Sequence, residues 1–375
     1  MSRTNHFTPA AGRVSPLAST PVISVTALAG VPAWVRHALG DRAQRMASKA
    51  AMLDIEAIEN EDCFIPHRTM ATYLDAVARS AGEQDLGLLL APGLGLGRYG
   101  CWGRYALAAP TLGAAVQRAR ATVAFHSKGD AVALDTHDGW TRIGYASAAR
   151  GLPGYRHVAC GTVGVILSLC RSYLSERWRP QAIELDLPAP RRAQVFEGAF
   201  GCPVRFDAPQ VAVWLSAERL HERPAGRREP PPLITADDVA RARTDCRRLQ
   251  RVTDVVAQQV WAQVLSGTVS VDSAAQSLAT SVRSLQRELS REGTDFRSLA
   301  NALRGRRAAE LLSGTDAPIA QISAALGYSA PAHFARAFRK ATGLSPIAFR
   351  SQGRSSCTEP AAAGITASHR TLRGS

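Results

Sequence analysis

The sequence predicts two domains of different class: an α+β domain of mixed helices and a small sheet, then an all-α domain with two helix-turn-helix motifs. Residues 35–221 alternate helical and strand-like segments, whereas residues 236–350 are helical in pattern and repeat one motif. Residues 222–235 lie between them and are rich in proline, which is typical of a semi-stiff linker. A chain of 375 residues is long enough for both domains.

The elements of the first domain follow from the spacing of its apolar residues. Residues 131–136 and 141–146 alternate apolar and polar side chains, and the turn Asp138-Gly139 between them predicts a hairpin. Helical spacing and further strand-like runs complete the domain. The other predicted elements are helices at 68–81, 111–125, up to about Leu174 and at 191–200, with strands at 182–187, 204–206 and 211–215.

The segments outside the two domains are predicted to be disordered. Residues 1–34 start with a stretch rich in Ser, Thr, Pro and Ala that has no clear periodicity, and residues 351–375 form a tail. After the linker, an apolar stripe at helical spacing indicates the packing face of the second domain's first helix and its lead-in, or alternatively a dimer contact through its earlier part. The stripe consists of Val239, Ala242, Cys246, Leu249, Val256, Val260 and Val264.

The sequence of the second domain contains the same motif twice. Residues 273–289 and 319–338 each contain a short apolar helix, a tight break, a Ser and a second amphipathic helix that carries Arg. The copies are offset by 48 residues before the turn and by 49 after it. The paired positions are Leu278 with Leu326, Ser281 with Ser329, Leu285 with Phe334, Arg287 with Arg336, and Leu289 with Phe338. This pattern predicts two helix-turn-helix motifs, in each of which the second helix enters a major groove of DNA.

The breaks between the paired helices differ in chemistry. In the second copy, Gly327 can take the left-handed conformation that ends a helix, Ser329 can cap the next one, and Pro331 suits its first turn. The first copy has Ala279-Thr280 at the break, so its turn is less clearly marked, although Ser281 can still act as the cap.

Charge agrees with a DNA-binding role. The chain has 45 Lys and Arg against 31 Asp and Glu, and residues 236–350 contain 16 basic and 10 acidic residues. All but one of those 16 are Arg, which favours bidentate contacts to guanine or phosphate, and binding should weaken steeply with salt. A helix over residues 296–312 would span roughly 25 Å and could act as a strut between the two motifs.

Two runs in the second domain are distinctive: Leu326-Gly-Tyr-Ser before the second reading helix, and the closing run Gly343-Leu-Ser-Pro-Ile-Ala-Phe-Arg350. With them, residues 253–350 resemble the DNA-binding domain of the AraC/XylS family of bacterial transcription regulators. The resemblance implies a seven-helix domain that binds adjacent major-groove segments on one face of the duplex. Carried over by position, base contacts fall on Arg283, Gln286 and Arg287 in the first reading helix, and on Pro331, Ala332, His333 and Arg336 in the second.

The second reading helix departs from the family pattern, in which the first two of those sites are polar. Pro331 and Ala332 offer no hydrogen bonds to base edges, so this motif should depend more on Arg336, His333, phosphate contacts and DNA shape. The full predicted DNA-binding set is Ser281, Arg283, Gln286, Arg287, Arg304, Ser329, His333, Arg336 and Arg339.

The first domain is similar to the sensor module of this family described as arabinose-binding-like, and not to its jelly-roll sensor. The runs that carry this weaker resemblance are 103–112 and 200–209. It implies a small-molecule effector, but not necessarily a sugar. Five polar-aromatic or basic residues are the candidates for effector binding, and an anionic ligand would suit the Arg and His content. They are Trp102, Arg104, Tyr105, His126 and Tyr155, and His157 is a further residue that could line the pocket.

Several other patterns indicate no additional functional site. Seven scattered cysteines without a Cys-x-x-Cys pair indicate reduced thiols, and the apolar run 158–170 is too short to span a bilayer. Gly95–Gly100 fits a dinucleotide-binding pattern but follows no strand, and the pair His157 and Cys160 has no second pair of ligands for a metal.

Together these features predict a DNA-binding transcription regulator, an activator more than a repressor, controlled by a small-molecule effector. Double-stranded DNA, RNA polymerase, the unknown effector and a second copy of the chain are the expected partners. No cofactor, metal, membrane contact or enzymatic activity is expected, and the location would be the bacterial cytoplasm at the nucleoid. Two alternatives stay open: an enzyme with a DNA-targeting tail, and a ligand-independent architectural protein.

Overall fold

A computed structural model describes residues 15–224 and 233–355. Contacts divide the chain into two compact units, one that ends at Ala300 and one that begins at Asn301. The first unit holds the N-terminal domain together with the first helix-turn-helix, and the second unit holds the second helix-turn-helix. Most of the predicted linker, residues 225–232, lies outside the described residues, as do residues 1–14 and 356–375.

The strands of the N-terminal domain form two small sheets. They are β1 (Val22–Ser24), β2 (Phe64–Pro66), β3 (Ser127–Lys128), β4 (Ala131–His137), β5 (Trp140–Ala146), β6 (Ala182–Glu184), β7 (Val204–Arg205) and β8 (Val211–Ser216). One antiparallel sheet has the order β2-β1-β3, and the other has the order β4-β5-β8-β6-β7, with only the β6–β7 pair parallel. The β4–β5 hairpin confirms the predicted pairing around Asp138 and Gly139, both at positive φ.

Helices surround these sheets in the N-terminal domain. They are α1 (Val31–Leu39), α2 (Asp41–Ala51), α3 (Ile55–Ile58), α4 (His67–Ala81), α5 (Leu86–Leu90), α6 (Gly100–Leu107), α7 (Leu112–Thr122), α8 (Tyr155–Arg171) and α9 (Ala193–Phe200). The predicted helices near 68–81, 111–125, 174 and 191–200 are confirmed in α4, α7, α8 and α9 with shifts of a few residues.

Helix α8 is the central element of the domain, and most of its residues are buried. Its contact with α5 is unusually close because glycines remove side chains from the interface. A Cβ on Gly87 would lie 2.8 Å from the His157 Cα, and one on Gly164 would lie 2.3 Å from the Ala91 carbonyl oxygen. These two positions therefore require glycine for steric reasons.

The prediction of disorder over residues 1–34 is wrong from residue 15 onwards. Strand β1 lies in the middle of the three-stranded sheet, where Val22 pairs with Pro66 and with Lys128. A short 3-10 helix at Val25–Leu28 and α1 follow it, with several fully buried side chains. This segment is ordered because β1 pairs with β2 and β3. The sequence did not reveal this because those strands lie far away along the chain, where local periodicity cannot detect them.

The remaining helices are α10 (Ala236–Ala242), α11 (Val252–Leu265), α12 (Val271–Ser277), α13 (Val282–Arg291), α14 (Phe296–Gly314), α15 (Ile319–Ala325), α16 (Pro331–Thr342) and α17 (Pro346–Ser355). From α11 to α17 they make seven helices within the described residues, as the family resemblance implied. Helix α17 continues to Ser355, so the prediction of disorder is wrong for residues 351–355, and the rest of that predicted tail lies outside the described residues.

The apolar stripe after the linker is interrupted and not a free surface. Residues 243–251 separate α10 from α11 and contain a 3-10 turn at Cys246–Arg248. Val239, Cys246 and Leu249 are buried, and this segment contacts α6 and β3 of the N-terminal domain. These residues are therefore already covered within one chain, which argues against the predicted dimer contact through them.

Candidate nucleic-acid interface and ligand cavity

Helix α13 is the second helix of the first helix-turn-helix and presents a polar face. The Ser281 hydroxyl accepts a hydrogen bond from the Ser284 amide at 3.1 Å, which caps the helix as the sequence predicted. Leu285 and Leu289 are fully buried and fix the inner face. The predicted base-contacting side chains on the other face are all exposed: Arg283, Gln286 and Arg287.

A carboxylate at the end of α13 fixes this helix against α11. Glu292 accepts hydrogen bonds from the Val252 amide at 3.0 Å and from the Thr253 amide at 2.8 Å, and its Oε2 also accepts one from the Thr253 hydroxyl at 2.6 Å. A negative charge at the first turn of α11 also interacts favourably with the helix dipole. The reading helix is therefore held by a polar contact at one end as well as by its buried leucines.

Helix α16 has the same arrangement in the second compact unit. Phe334 and Phe338 are buried, whereas His333, Arg336 and Arg339 are exposed. Pro331 occupies the first turn, as predicted.

The predicted cap of α16 is wrong, because Ala330 is the capping residue and makes no side-chain hydrogen bond. Ser329 lies one position earlier, exposed, with its hydroxyl 3.4 Å from the His333 Nδ1 atom. Since Ala330 already occupies the cap, the Ser329 hydroxyl is left outside the helix, on the side where His333 lies.

Arg304 has a packing contact that the sequence did not reveal. Its guanidinium lies over the Tyr328 ring, 5.2 Å from the centroid, and the side chain is half-buried. A cation over an aromatic face is stabilising. This contact gives Arg304 a role in packing against Tyr328. Its contact with DNA stays a prediction.

The turn of the first motif contains an alanine in the left-handed region. Ala279 has φ +54°, and its counterpart in the second motif, Gly327, has φ +74°. The left-handed conformation costs an L-residue about 1–2 kcal/mol, and glycine largely avoids that cost. The two turns thus have the same backbone shape, but the first one stores strain.

Replacing Ala279 by glycine should therefore stabilise the protein by about 0.5–1 kcal/mol, the strain relief less the entropy of a new glycine. Ala279 is exposed, so no packing is lost. Urea denaturation of the full chain measures the effect as a higher midpoint. Ala121→Gly, at an exposed helical position in α7 of the same unit, is the control and should lower the midpoint. A lower midpoint for Ala279→Gly would contradict the account.

The N-terminal domain contains a cavity of about 90 Å³. It lies among α1, α4, α6, α8, the 3-10 helix at Val25–Leu28 and the strands β1 and β5. Its lining is mainly aliphatic and includes eight residues with polar or aromatic groups. These are Tyr99, Trp102, His126, Asp130, Tyr145, Ser147, His157 and Thr162.

The structure brings together two of the five predicted effector residues. Trp102 and His126 both line the cavity, and their rings stack with centroids 4.5 Å apart. Arg104 is exposed, Tyr105 has its ring beside Arg118, and Tyr155 donates its hydroxyl hydrogen bond to Asp186. These three are not among the residues that line the cavity.

Sequence reasoning missed Asp130 and Tyr145 on the cavity wall, whereas His157, which it had included as a further candidate, does line the cavity. The Asp130 carboxylate accepts hydrogen bonds from the Tyr145 hydroxyl at 2.6 Å and from the Ala148 amide at 2.7 Å. Asp130 directly precedes β4, and Tyr145 pairs with Val132 one residue into that strand. The available signal in the sequence was the position of Asp130 at the start of the predicted hairpin and of Tyr145 near its end.

Burial keeps the cavity imidazoles neutral. It lowers the pKa of His126 well below its usual value near 6.5, and the nearby Arg243 and His67 act in the same direction. Burial, followed by the positive charge of Arg156, also lowers the pKa of His157. Both rings therefore face the cavity as uncharged groups near neutral pH.

Arg243, which ends helix α10, is buried in the N-terminal domain. Its guanidinium donates hydrogen bonds to the Thr26 hydroxyl at 3.0 Å and to the Phe125 carbonyl at 3.3 Å. Thr26 and Phe125 directly precede Ala27 and His126, which line the cavity. A second contact follows at Leu249, whose carbonyl accepts a hydrogen bond from Lys128. The segment that leads into the DNA-binding helices is thus anchored on the cavity wall.

Comparisons with known proteins agree with this architecture. Residues 42–224 match the family "Arabinose-binding domain of AraC transcription regulator, N-term", and residues 274–352 match the family "Helix-turn-helix domain". The fold and the two matches define a transcription regulator with an N-terminal ligand-binding domain and a DNA-binding helix-turn-helix domain. The chain belongs to the AraC family of transcription regulators.

Relatives with established names cover most of the chain. The ornithine utilization regulator of Pseudomonas aeruginosa is 26% identical over 330 residues, which is 85% of this chain and 96% of the relative. The transcriptional regulator VirS of Mycobacterium tuberculosis is 26% identical over 78% of this chain and 86% of its own length. The crystal structure of the regulator CdpR from Pseudomonas aeruginosa is 22% identical, spans 71% of this chain and 86% of CdpR, and has a TM-score of 0.33.

Among the helices of the described residues, none is long and apolar enough to cross a membrane. Within residues 15–224 and 233–355, no group of three or more His, Cys, Asp or Glu side chains is arranged to hold a metal ion.

Proposed function

We propose that this protein is an effector-controlled activator of transcription that binds double-stranded DNA through α13 and α16. The observation that carries the proposal is the exposure of Arg283, Gln286 and Arg287 on one face of α13 while Leu285 and Leu289 anchor the opposite face. A helix held rigidly from behind with guanidinium groups in front suits base-edge recognition in a major groove.

The effector would bind in the cavity of the N-terminal domain and act through the anchored segment at Arg243 and Leu249. A ligand changes DNA affinity only through its preference for one of two arrangements of the protein. Because Arg243 and Lys128 connect the cavity wall to the lead-in of α11, movement of that wall changes the position of the lead-in. This supports a direct route from ligand to DNA-binding helices within one chain.

Contact with RNA polymerase, assembly as a homodimer and a place at the bacterial nucleoid belong to the same proposal. Its support is the family to which the chain belongs. The name of the ornithine utilization regulator describes that relative alone. The effector of this chain is better inferred from the residues that line its own cavity.

Purified full-length protein should select specific DNA. Fragments recovered from genome-wide mapping of bound sites should bind at least about a thousandfold more tightly than random duplex at physiological salt, since specific regulators reach such ratios. Fluorescence anisotropy with both duplexes measures the ratio. Equal affinity for the recovered fragments, random duplex and heparin would contradict sequence-specific regulation.

A further inference from the structure

The cavity wall is mainly apolar. Ten of its twenty lining residues are Leu, Ile, Val or Met, and none is Lys or Arg within the part of the chain that the structure describes. Ligand-binding cavities of this kind bury an apolar body and orient it with a few polar groups. The composition of the wall therefore favours a mostly apolar molecule before any polar contact is considered.

The acidic group on the wall is Asp130, and its side chain is completely buried. Its two oxygens already accept hydrogen bonds from the Tyr145 hydroxyl and the Ala148 amide. The nearby His67 Nε2 lies 3.5 Å away, but burial lowers the pKa of His67 and so disfavours its charged form. A ligand carboxylate here would be a second negative charge without a lining cation to pair with it, which is strongly unfavourable.

Two imidazoles on the wall can still bond to an uncharged ligand. The His157 Nδ1 accepts the Gly87 amide hydrogen at 3.3 Å, so the neutral ring carries its proton on Nε2 and can donate from there. The His126 Nδ1 is buried and has no hydrogen-bond partner among the described residues. A hydroxyl or carbonyl group on the ligand could use these atoms without bringing charge into the cavity.

From this wall we infer that the effector is an uncharged, largely apolar small molecule with one or two hydrogen-bonding groups, such as an alcohol or ketone. This inference rests on the proposed effector control of the same site. It replaces the sequence-based expectation of an anionic ligand, because that expectation used Arg and His content, and the predicted Arg104 is exposed and away from the cavity wall.

Three probes with one skeleton and different charge test the inference: benzyl alcohol, benzoate and benzylamine. Isothermal titration of the full chain should show benzyl alcohol binding at least about tenfold more tightly than benzoate, because the carboxylate would be buried without a counter-charge. Benzylamine should also bind more weakly than the alcohol, because its ammonium would lose its hydration in the cavity and both Asp130 oxygens already accept hydrogen bonds from the protein. Benzoate or benzylamine binding as tightly as benzyl alcohol would overturn the uncharged class.

A pair of variants at Thr162 places the binding in this cavity. Thr162 lies on α8, lines the cavity and is half-buried. Thr162→Lys adds a cation to the wall and should reverse the order, so that benzoate binds more tightly than benzyl alcohol. Thr162→Met has similar length without charge and should weaken all three probes while preserving their order. Unchanged affinities in both variants would show that the probes bind elsewhere, which would overturn the assignment.

The outcomes separate this inference from the proposed function. If none of the probes binds while the same protein still selects its genomic DNA fragments, the ligand class is wrong and the DNA-binding function stands. If the protein shows no preference for those fragments, the proposed function itself fails whatever the probes do. The wild-type titrations decide the class even if the lysine variant does not fold.

Discussion

Replacing Arg287 by alanine should weaken binding to the protein's specific DNA site by about 1–3 kcal/mol and relax the preference at one base pair. The side chain is 59% exposed on the outer face of α13, and Leu285 and Leu289 fix the helix behind it. Among the ion pairs of the described residues, its acidic partner is the adjacent Glu288, whose Oε1 lies 3.7 Å from the Arg287 Nε. The guanidinium therefore remains available to a base edge. Anisotropy titrations with specific and random duplexes measure the change.

Arg291→Ala is the matched control for this prediction. Arg291 lies on the same helix, is exposed and forms an ion pair with Glu288 at 2.6 Å, so its loss removes one positive charge without removing a predicted base contact. The control should weaken specific and random binding by a similar small factor. If Arg287→Ala also lowers both affinities equally, Arg287 contacts only phosphate and the assignment of base contacts to this face of α13 is wrong.

The two motifs should not contribute equally to sequence preference. The N-terminal turn of α16 presents Pro331 and Ala332, both exposed and without hydrogen-bonding side chains. His333, Arg336 and Arg339 remain on the exposed face. We therefore expect specificity that depends on base-edge hydrogen bonds to be concentrated on α13, and α16 to contribute mainly phosphate contacts and sensitivity to DNA shape.

The helix-turn-helix motifs could be predicted from the sequence because their determinants are local. The spacing of Leu285 and Leu289, and of Phe334 and Phe338, defines the buried faces of single helices. Ser281 as a cap and Gly327 at a positive φ are also features of short segments. The left-handed Ala279 could be predicted only by aligning the first motif with the second, because alanine does not mark such a turn.

The N-terminal domain was harder because its determinants are distant in sequence. Strand β1 has three residues, and its order depends on pairing with β2 and β3, which lie about 40 and 105 residues away. The hairpin β4–β5 was predictable because its strands are adjacent and joined by Asp138-Gly139. Trp102 and His126 were found as polar-aromatic residues, but their meeting with Asp130 and Tyr145 at one cavity depends on the tertiary fold.

The contact of Arg243 with the N-terminal domain shows the same limit. In the sequence Arg243 is one of several arginines beside the apolar stripe that predicts the packing face of the second domain's first helix and its lead-in. In the structure α10 ends before Arg243, and the side chain is buried against Thr26 and Phe125.

Replacing Arg243 by methionine should release the lead-in segment from the cavity wall. Methionine keeps much of the apolar stem, but the Phe125 carbonyl loses this donor, and a buried group left without a partner costs about 1–3 kcal/mol. The Thr26 hydroxyl also loses the guanidinium but keeps its hydrogen bond with the Ser24 hydroxyl. Hydrogen exchange of the full chain should then show faster exchange over residues 243–250. Affinity for specific DNA should change little, whereas any change in that affinity caused by benzyl alcohol should disappear.

Arg247→Met provides the matched control, since Arg247 lies in the same segment but is exposed and pairs with Asp245 at 2.7 Å. Both variants remove one arginine from this stretch, so they change the net charge of the protein by the same amount. Only Arg243→Met removes a contact with the cavity wall. If the two variants exchange alike and retain the same response to ligand, the route from cavity to DNA does not pass through Arg243. The remaining anchor between Lys128 and the Leu249 carbonyl would then be the contact that transmits the change.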